Sequence, residues 1–404
     1  MYLTYLSLTN FRNYVRLEVD VPCGPVLLHG ANAQGKTSLL EAIYFLATFT
    51  SFHASSDRQL VNLLAARESQ AEAFIVAEFN KGEHKFRLGV GFYLEKNQTN
   101  NHTRLRKEIV LDGDKCKMSE AMGYFNSVLF LPQMMQVIEG APELRRRYLN
   151  LALGQVYPRY ATTLSDYARA LSQRNALLKQ LAERRGDENL LEPWDMQLAS
   201  SGARLIHARI NAIQELERLA KPIHRALTPG GEVLRLDYAP SYDPLPKPRN
   251  QFSFGLETSV SRTAFTAEQI VQGFQADLKK RRKEEIQRGV TTIGPHRDEL
   301  YFKVDEMDLG KYGSRGQVRT AMLALKFAEV EWMHAKTGQL PVLLLDEVLA
   351  ELDVGRRNDL LSRIAASEQS FLTTADVGMF SQDFIQGAAL WQVADGLITA
   401  QEMK

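Results

Sequence analysis

Near its N-terminus the chain reads Gly30-Ala31-Asn32-Ala33-Gln34-Gly35-Lys36-Thr37, followed by Ser38. This stretch matches the pattern G, four residues, G-K-[ST]. An apolar run precedes it and apolar residues at helical spacing follow from Leu39 to Leu46, so the stretch joins a strand to a helix. Glycines let successive backbone N–H groups face one anion, and the helix N-terminus adds a positive dipole. The sequence therefore predicts a phosphate loop over Gly30–Ser38, with Lys36 on the terminal phosphates and Thr37 on magnesium.

A second apolar run, Val342 to Leu345, ends in two acidic residues, Asp346 and Glu347. In open α/β sheets, ligands bind beyond the carboxyl ends of buried strands, which is where these two side chains fall. Combined with the phosphate loop, the pattern predicts that Asp346 holds magnesium. It predicts that Glu347 is catalytic, because a carboxylate there would orient and deprotonate the attacking water.

The composition is that of an ordinary globular protein. Of 404 residues, 45% are apolar and 24% are charged, and the length suggests two or three domains. The formal net charge is +1, so a nucleic acid would have to meet a local basic surface. The two cysteines, Cys23 and Cys116, lack the spacing of a zinc site or a disulfide framework, which fits a reducing compartment. No apolar segment approaches the roughly 20 residues that cross a bilayer, so we expect a cytoplasmic protein without membrane contact.

Hydrophobic patterning predicts the fold class. Alternation predicts strands at residues 2–9, 15–21, 73–79, 85–93 and 107–112, with Val15, Leu17, Val19 and Val21 on one face. The apolar runs at 342–345 and 370–373 do not alternate, which is typical of strands buried on both faces of a parallel sheet. Helical periodicity fills residues 143–227 and returns from Phe265 to Gly289. We therefore predict an α/β P-loop ATPase head with mixed sheets and a helical insertion domain.

The predicted division has three parts: residues 1–142 and 291–404 form the ATPase head, and residues 143–290 form the mainly helical insertion. Five prolines and a Gly-Gly pair at 228–249 predict a loop or domain junction there. The polar stretch from Asn97 to Arg106 predicts a mobile loop.

A long helical pattern, 317–334, begins at Ser314-Arg315-Gly316-Gln317. Ser314 suits an N-cap, and the glycine leaves backbone N–H groups accessible, so this is a second anion-binding helix start. One chain rarely needs two such starts for one nucleotide, which favours closure on the nucleotide of another subunit. A plain capped helix explains the segment equally well.

In chain order, these segments resemble motifs of ABC-type ATPases of the SMC class. The phosphate loop resembles Walker A, Gln133 a Q-loop, Ser314 to Gln317 the signature, Asp346-Glu347 Walker B, and Asp353 the D-loop. More narrowly, residues 8–14, 293–300 and 346–357 look like the RecF family. The resemblance implies an ABC/SMC-like head in which Gln133 is a further magnesium ligand. It also implies that Ser314, Gly316 and Gln317 contact the nucleotide in trans.

This chain departs from the family at three positions. Arg315 stands where the family usually has glutamine, and Glu347 stands where most members carry a second aspartate. No histidine follows the last buried strand, which leaves Asp376 or Thr374 as a phosphate sensor, or no sensor.

The RecF resemblance implies ATP-dependent DNA binding in replication, recombinational repair and the SOS response. ATP would join two copies on single-stranded, gapped or duplex DNA, and weak DNA-stimulated hydrolysis of magnesium ATP would release them. RecR and RecO-like partners would act with the dimer to load the recombinase RecA.

Basic runs are the sequence's own indication of DNA binding. The candidate cluster is Lys279-Lys280-Arg281-Arg282-Lys283, and further candidates are Arg145 to Arg147 and the trio Arg104, Arg106 and Lys107. Such runs would neutralise phosphates, yet each is more often a solvated face. His296 and Arg297 fit either a Gly-Pro turn with a buried Arg297 to Asp298 pair, or a role near the nucleotide or DNA.

Two other functions use the same motifs. A membrane-transporter ATPase subunit would need a head of about half this length, and residues 10–14 argue against it. A DNA-binding scaffold that binds ATP with little turnover is the second alternative. Glu347 favours hydrolysis, and the turnover of a Glu347→Gln variant would separate the two.

Overall fold

The computed structural model describes residues 1–68, 70–96, 103–183, 186–228, 230–245 and 262–401. The strands are β1 (Tyr2–Phe11), β2 (Tyr14–Asp20), β3 (Gly24–His29), β4 (Gln70–Lys81), β5 (His84–Lys96), β6 (Thr103–Leu111), β7 (Asp114–Cys116), β8 (Ser127–Phe130), β9 (Leu234–Ala239), β10 (Glu299–Val304), β11 (Met307–Asp308), β12 (Val342–Asp346), β13 (Gln369–Thr374), β14 (Ala389–Ala394) and β15 (Leu397–Gln401). The helices are α1 (Lys36–Thr48), α2 (Met118–Ala121), α3 (Gln136–Glu139), α4 (Pro142–Val156), α5 (Tyr160–Ala182), α6 (Leu191–Leu227), α7 (Ala267–Arg288), α8 (Leu309–Tyr312), α9 (Arg315–Thr337), α10 (Val354–Ala365) and α11 (Gln382–Gln386).

The chain divides into two compact units. One contains residues 1–134 and the chain from Lys326 onward, and the other contains residues 135–325. The three-part division at 142 and 290 stays a prediction. Among the described residues, no helix combines the length and the apolar character that crossing a membrane requires.

Two sheets of different character build the first unit. One is antiparallel, with the order β2-β1-β4-β5-β6-β7. The other has the order β15-β14-β3-β13-β12-β8 and is parallel from β14 to β8. Every residue of β12 and β13 is buried, which confirms the reading of the two non-alternating runs. Helix α1 packs on the parallel sheet and also touches β5, so its apolar residues join one core with both sheets.

The N-terminal strands depart from simple alternation. The pairing of β1 with β4 shifts register between Leu3 and Tyr5, and this bulge explains the loose pattern of that strand. The predicted shared face of β2 is wrong for Val15, which is 61% exposed while its neighbour Tyr14 is buried. The Tyr14 ring packs into the core in place of Val15, so the start of β2 does not follow the alternation that the sequence predicts.

Part of the predicted loop at 97–106 is a strand. Residues 103–106 belong to β6, which pairs along β5, so the loop prediction is wrong for these four residues. Arg104 and Arg106 are exposed and Leu105 is half-buried, which is the alternation of a strand. The polar residues around them made this short pattern look like a loop. Residues 97–102 lie outside the described residues.

The second unit combines helices with a small antiparallel sheet. Helices α5, α6 and α7 pack on one another, and the sheet has the order β11-β10-β9. The predicted junction at 228–249 contains β9, so the loop reading is wrong there. Leu234, Leu236 and Tyr238 alternate as buried residues and pair with β10. The surrounding prolines favoured a loop, so this strand was not predicted. Residues 229 and 246–249 of that segment lie outside the described residues.

Candidate nucleotide site

The phosphate loop joins β3 to α1, as predicted. Gly30 and Gly35 both have positive φ, +148° and +120°, a conformation that favours glycine. A Cβ atom at Gly30 would collide with the carbonyl oxygen of Val393 in β14. The two glycines are therefore required by backbone conformation and, at Gly30, by close packing.

Protein groups hold the carbonyls at the end of the loop. Asn13 Nδ2 and the backbone N–H of Gly396 donate to the carbonyl of Gln34 over 2.9 and 3.1 Å. Tyr14 donates its hydroxyl hydrogen to the carbonyl of Gly35 over 3.0 Å, and burial raises the pKa of this phenol, which keeps it a donor. In a trans peptide the N–H points away from the C=O, so these bonds also fix the N–H groups of Gly35 and Lys36.

Lys36 is buried at the start of α1. Its Nζ donates to the carbonyls of Gly30 and Ala31 over 2.7 and 3.0 Å, and it lies 3.9 Å from Glu347 Oε1. The ammonium group therefore lies in the mouth of the loop, held by weak neutral acceptors that a phosphate would outcompete.

Thr37, Asp346 and Thr373 form a hydroxyl–carboxylate–hydroxyl cluster. Thr37 Oγ1 donates to Asp346 over 2.9 Å, and Thr373 Oγ1 donates to Asp346 Oδ1 over 2.7 Å. The carboxylate is almost fully buried. Strands β3, β13 and β12 are neighbours in the parallel sheet, so their carboxyl ends bring the three side chains to one edge. Sequence reasoning predicted Thr37 and Asp346 here and missed Thr373.

Glu347 follows Asp346 in a left-handed conformation, with φ of +51°. Its backbone N–H donates to Thr373 Oγ1 over 3.0 Å, and its side chain is half exposed beside Lys36. Thr373 thus contacts both acidic positions, accepting from one residue and donating to the other.

Two further head motifs, Gln133 and Asp353, are exposed. Gln133 is exposed three residues beyond β8, the strand beside β12. Asp353 caps α10 by accepting the Arg356 N–H over 3.0 Å, a bond that lowers the pKa of this carboxyl. Thr374 Oγ1 donates to the carbonyl of Asp376, whose carboxylate accepts from Gly378 N–H. Both phosphate-sensor candidates therefore make local bonds in this structure.

A cavity of about 1020 Å³ opens beside the phosphate loop. Arg12 lines it and forms a two-pronged ion pair with the buried Glu41 of α1, over 2.7 and 2.8 Å. Leu63 and Leu64 line the same cavity and are 71% and 66% exposed. The cavity has room for the nucleoside part of a nucleotide. No periodicity or motif in residues 58–66 predicted that this segment lines a cavity.

The signature segment, Ser314–Gln317, forms a reciprocal cap in the second unit. Ser314 Oγ accepts the Gln317 N–H over 3.2 Å, and Gln317 Oε1 accepts the Ser314 N–H over 3.0 Å. Gln317 also donates from Nε2 to Glu232 over 3.1 Å. Ser314, Arg315 and Gly316 are exposed, so the predicted N-cap is confirmed on an open helix start.

The basic clusters are partly engaged in ion pairs. Within the predicted run 279–283, Arg282 pairs with the buried Asp195 over 2.8 Å, while Lys279, Lys280 and Lys283 are exposed. Arg145 pairs with Glu299 over 2.6 Å. In β6, Lys107 pairs with Asp57 and Arg106 with Glu108. Part of the predicted positive charge is therefore compensated, and the three lysines of the run 279–283 stay exposed.

The turn at residues 295–297 differs from its predicted form. Asp298 is buried and pairs with Arg209 over 2.8 Å, whereas Arg297 is exposed. Of the two interpretations of this turn, the buried Arg297 to Asp298 pair is wrong, because Arg209 of α6 reaches the carboxylate from the interior of the unit.

Comparisons with known sequences point to one family. Residues 2–394 match the family described as RecF/RecN/SMC N terminal domain. A protein of Chloroflexus aurantiacus named DNA replication and repair protein RecF is 38% identical over 408 residues, covering 99% of this chain and 100% of the relative. A protein of the same name from Staphylococcus carnosus is 36% identical over 399 residues, covering 98% and 100%.

Solved structures agree with these sequence matches. The recombination mediator protein RecF-ATP of the RecFOR pathway is 29% identical, with a TM-score of 0.82, over 99% of this chain and 98% of that chain. An Smc head bound to the C-winged helix domain of ScpA shares the fold at 17% identity, with a TM-score of 0.52. The predicted α/β fold of an ABC/SMC-like ATPase head is confirmed by these likenesses.

Proposed function

We infer, from the fact that this chain belongs to the RecF family, that it is an ATP-binding protein of DNA replication and recombinational repair. One observation carries the inference: Lys36 and the Thr37–Asp346–Thr373 cluster surround the phosphate loop of a chain that matches RecF proteins over their whole length. The family is that of ABC/SMC-type ATPases.

The oxygen atoms beside the loop fit magnesium. Thr37 Oγ1 lies 2.9 and 3.0 Å from the two carboxylate oxygens of Asp346, so hydroxyl and carboxylate converge on one position. Magnesium prefers such hard oxygen ligands and takes few of them from protein. We propose Thr37 and Asp346 as its protein contacts, with Gln133 as a third. When bound, the ion neutralises negative charge on the phosphates.

The chain's own residues would then divide the work of hydrolysis. Lys36 exchanges its carbonyl partners for the terminal phosphates, and the backbone of residues 30–38 cradles the rest. Glu347 is the catalytic residue, since its half-exposed carboxylate can take a proton from water. Thr373 positions both acidic residues. Glu347 also favours turnover over the alternative of a scaffold that only binds ATP.

Dimerisation would complete each nucleotide site. We propose that the open helix start at Ser314, Gly316 and Gln317 contacts the nucleotide bound by another copy, with Asp353 of the D-loop near that interface. Two copies would then close on DNA in the cytoplasm and separate after hydrolysis. RecR and RecO-like proteins are proposed as partners, since a similar solved structure is described within the RecFOR pathway.

The proposal is tested by DNA binding with and without ATP. Gapped duplex, plain duplex and single strands would be titrated with wild type and with Lys36→Ala, which removes the ammonium from the loop. We expect ATP to tighten DNA binding by wild type and to have no effect on the variant. Equal DNA affinity of wild type with and without ATP would contradict ATP-controlled DNA binding.

A further inference from the structure

The segment 293–300 is held in one conformation from several sides. Gly294 has φ of +124°, and a Cβ atom there would collide with the hydroxyl of Tyr167. Ser241 Oγ accepts from the Gly294 N–H over 2.7 Å and donates to the Gly294 carbonyl over 2.8 Å. The entry into the turn therefore has little freedom.

The exit from the turn is fixed by a buried charge network. Asp298, 1% exposed, accepts from Arg209 Nη1 over 2.8 Å, from Ser241 N–H over 2.9 Å and from the hydroxyl of Tyr238. Arg209 also donates to the carbonyl of Pro295 over 2.6 Å. A buried ion pair contributes little to the free energy of unfolding. Here the pair and its hydrogen bonds hold the exit of the turn in one geometry.

His296 points inward and is fully engaged. Its Nδ1 contacts the hydroxyl of Tyr167 at 2.6 Å and its Nε2 contacts the carbonyl of Thr291 at 3.3 Å. Burial lowers the pKa of His296 to about 4, so the ring is neutral at physiological pH. The imidazole is therefore unavailable to an external ligand.

Arg297 is the charged side chain of this turn that faces solvent. Its backbone N–H donates to the Gly294 carbonyl over 2.8 Å, and within the described parts of the chain its guanidinium has no ion pair. Arg146 is a second arginine at this turn, but it donates to the Asp298 carbonyl and pairs with Glu143. Arg297 is thus an uncompensated cation on a rigid base.

We propose that Arg297 contacts the phosphate backbone of DNA, an inference that rests on the DNA-binding function proposed above. A guanidinium matches phosphate oxygens in a fork of two hydrogen bonds. Because the backbone beneath Arg297 is already fixed, less freedom is lost on contact than with a lysine on a solvated helix face. At the phosphate loop, Lys36 already supplies a positive charge for the nucleotide, and Thr37 and Asp346 supply oxygen ligands for magnesium. Arg297 is therefore not needed to neutralise the nucleotide.

The test is the salt dependence of DNA affinity for wild type, Arg297→Ala and Arg297→Lys. Arg169→Ala is the control, since Arg169 is a highly exposed arginine on α5 in the same unit whose charge is already paired with Asp166. Loss of one phosphate contact should make the slope of log K against log salt less negative by about one. We expect that change, and an affinity loss of about tenfold, for Arg297→Ala alone. The lysine variant should keep the slope.

ATP affinity and melting temperature, measured on the same samples, should not change with Arg297→Ala. A slope equal to that of wild type and Arg169→Ala would overturn the inference, as would a loss confined to ATP binding or dimerisation. If wild type shows no salt-dependent DNA binding, the proposed function itself fails and this inference with it.

Discussion

The buried phenol of Tyr14 donates a hydrogen bond to the carbonyl of Gly35, so the N-terminal hairpin supports the end of the phosphate loop. Tyr14→Phe would leave this carbonyl without its donor, at a cost of about 1–3 kcal/mol. We expect ATP affinity to fall about tenfold, measured by titration calorimetry. Tyr5→Phe, which changes a tyrosine of β1 whose hydroxyl makes no hydrogen bond to the phosphate loop among the described residues, should bind ATP normally. Unchanged affinity of Tyr14→Phe would remove the hairpin from loop positioning.

The family-like stretch at residues 8–14 shows what sequence could and could not provide. The resemblance drew attention to this stretch, but its physical role depends on Asn13 and Tyr14 reaching residues 34 and 35. No local period encodes a pairing across 21 residues of chain. The phosphate loop itself was predictable because its glycines, lysine and flanking elements are contiguous.

Thr373 connects the two acidic positions of the site, and its removal should affect turnover more than binding. Thr373→Val keeps the shape of the side chain while removing one donor to Asp346 and the acceptor of Glu347 N–H. We expect kcat to fall about tenfold or more and the ATP dissociation constant to stay within about threefold, at roughly 1.4 kcal/mol per tenfold change.

The control for Thr373→Val is Thr337→Val, because the Thr337 hydroxyl at the end of α9 donates to the carbonyl of Met333 and makes no bond to Asp346. Equal turnover of the two variants would show that Thr373 has no special part in positioning the acidic residues.

The exposed cap at Ser314 predicts the behaviour of the dimer. Ser314→Arg should bind ATP as wild type does, because the phosphate loop is unaltered, yet it should give no ATP-driven dimers by light scattering. Ser314→Ala, which costs the cap about 1 kcal/mol without adding bulk, should weaken dimers and not abolish them. ATP-driven dimers of the arginine variant at wild-type strength would refute contact in trans.

The buried His296 predicts a pH dependence of stability. Burial lowers the pKa of His296 to about 4 from its ordinary 6.5, so the unfolded chain binds this proton more readily than the folded one. The unfolding free energy should therefore fall as the pH drops from about 6.5 to about 4. Melting temperatures across this range should change less for His296→Gln than for wild type, and identical curves would contradict the assignment.

The features that the sequence patterns did not predict depend on contacts between residues far apart in the chain. The strand β9 was read as a junction because its six residues lie between prolines, and its pairing partner β10 is sixty residues away. A buried pair of Arg297 with Asp298 was one of two interpretations of that turn, and the structure excludes it because Arg209 reaches the carboxylate from α6. The site at Thr37 and Asp346 was found although 309 residues separate them, since each carries its own local motif.

Steady-state ATP turnover with and without DNA, for wild type and Glu347→Gln, tests the central claim most directly. A slow wild-type rate that DNA raises is expected, with a loss of about a hundredfold or more in the variant while ATP binding persists. Equal rates for the two proteins would contradict the catalytic role of Glu347, and a wild-type rate indifferent to DNA would contradict an ATPase that works on DNA.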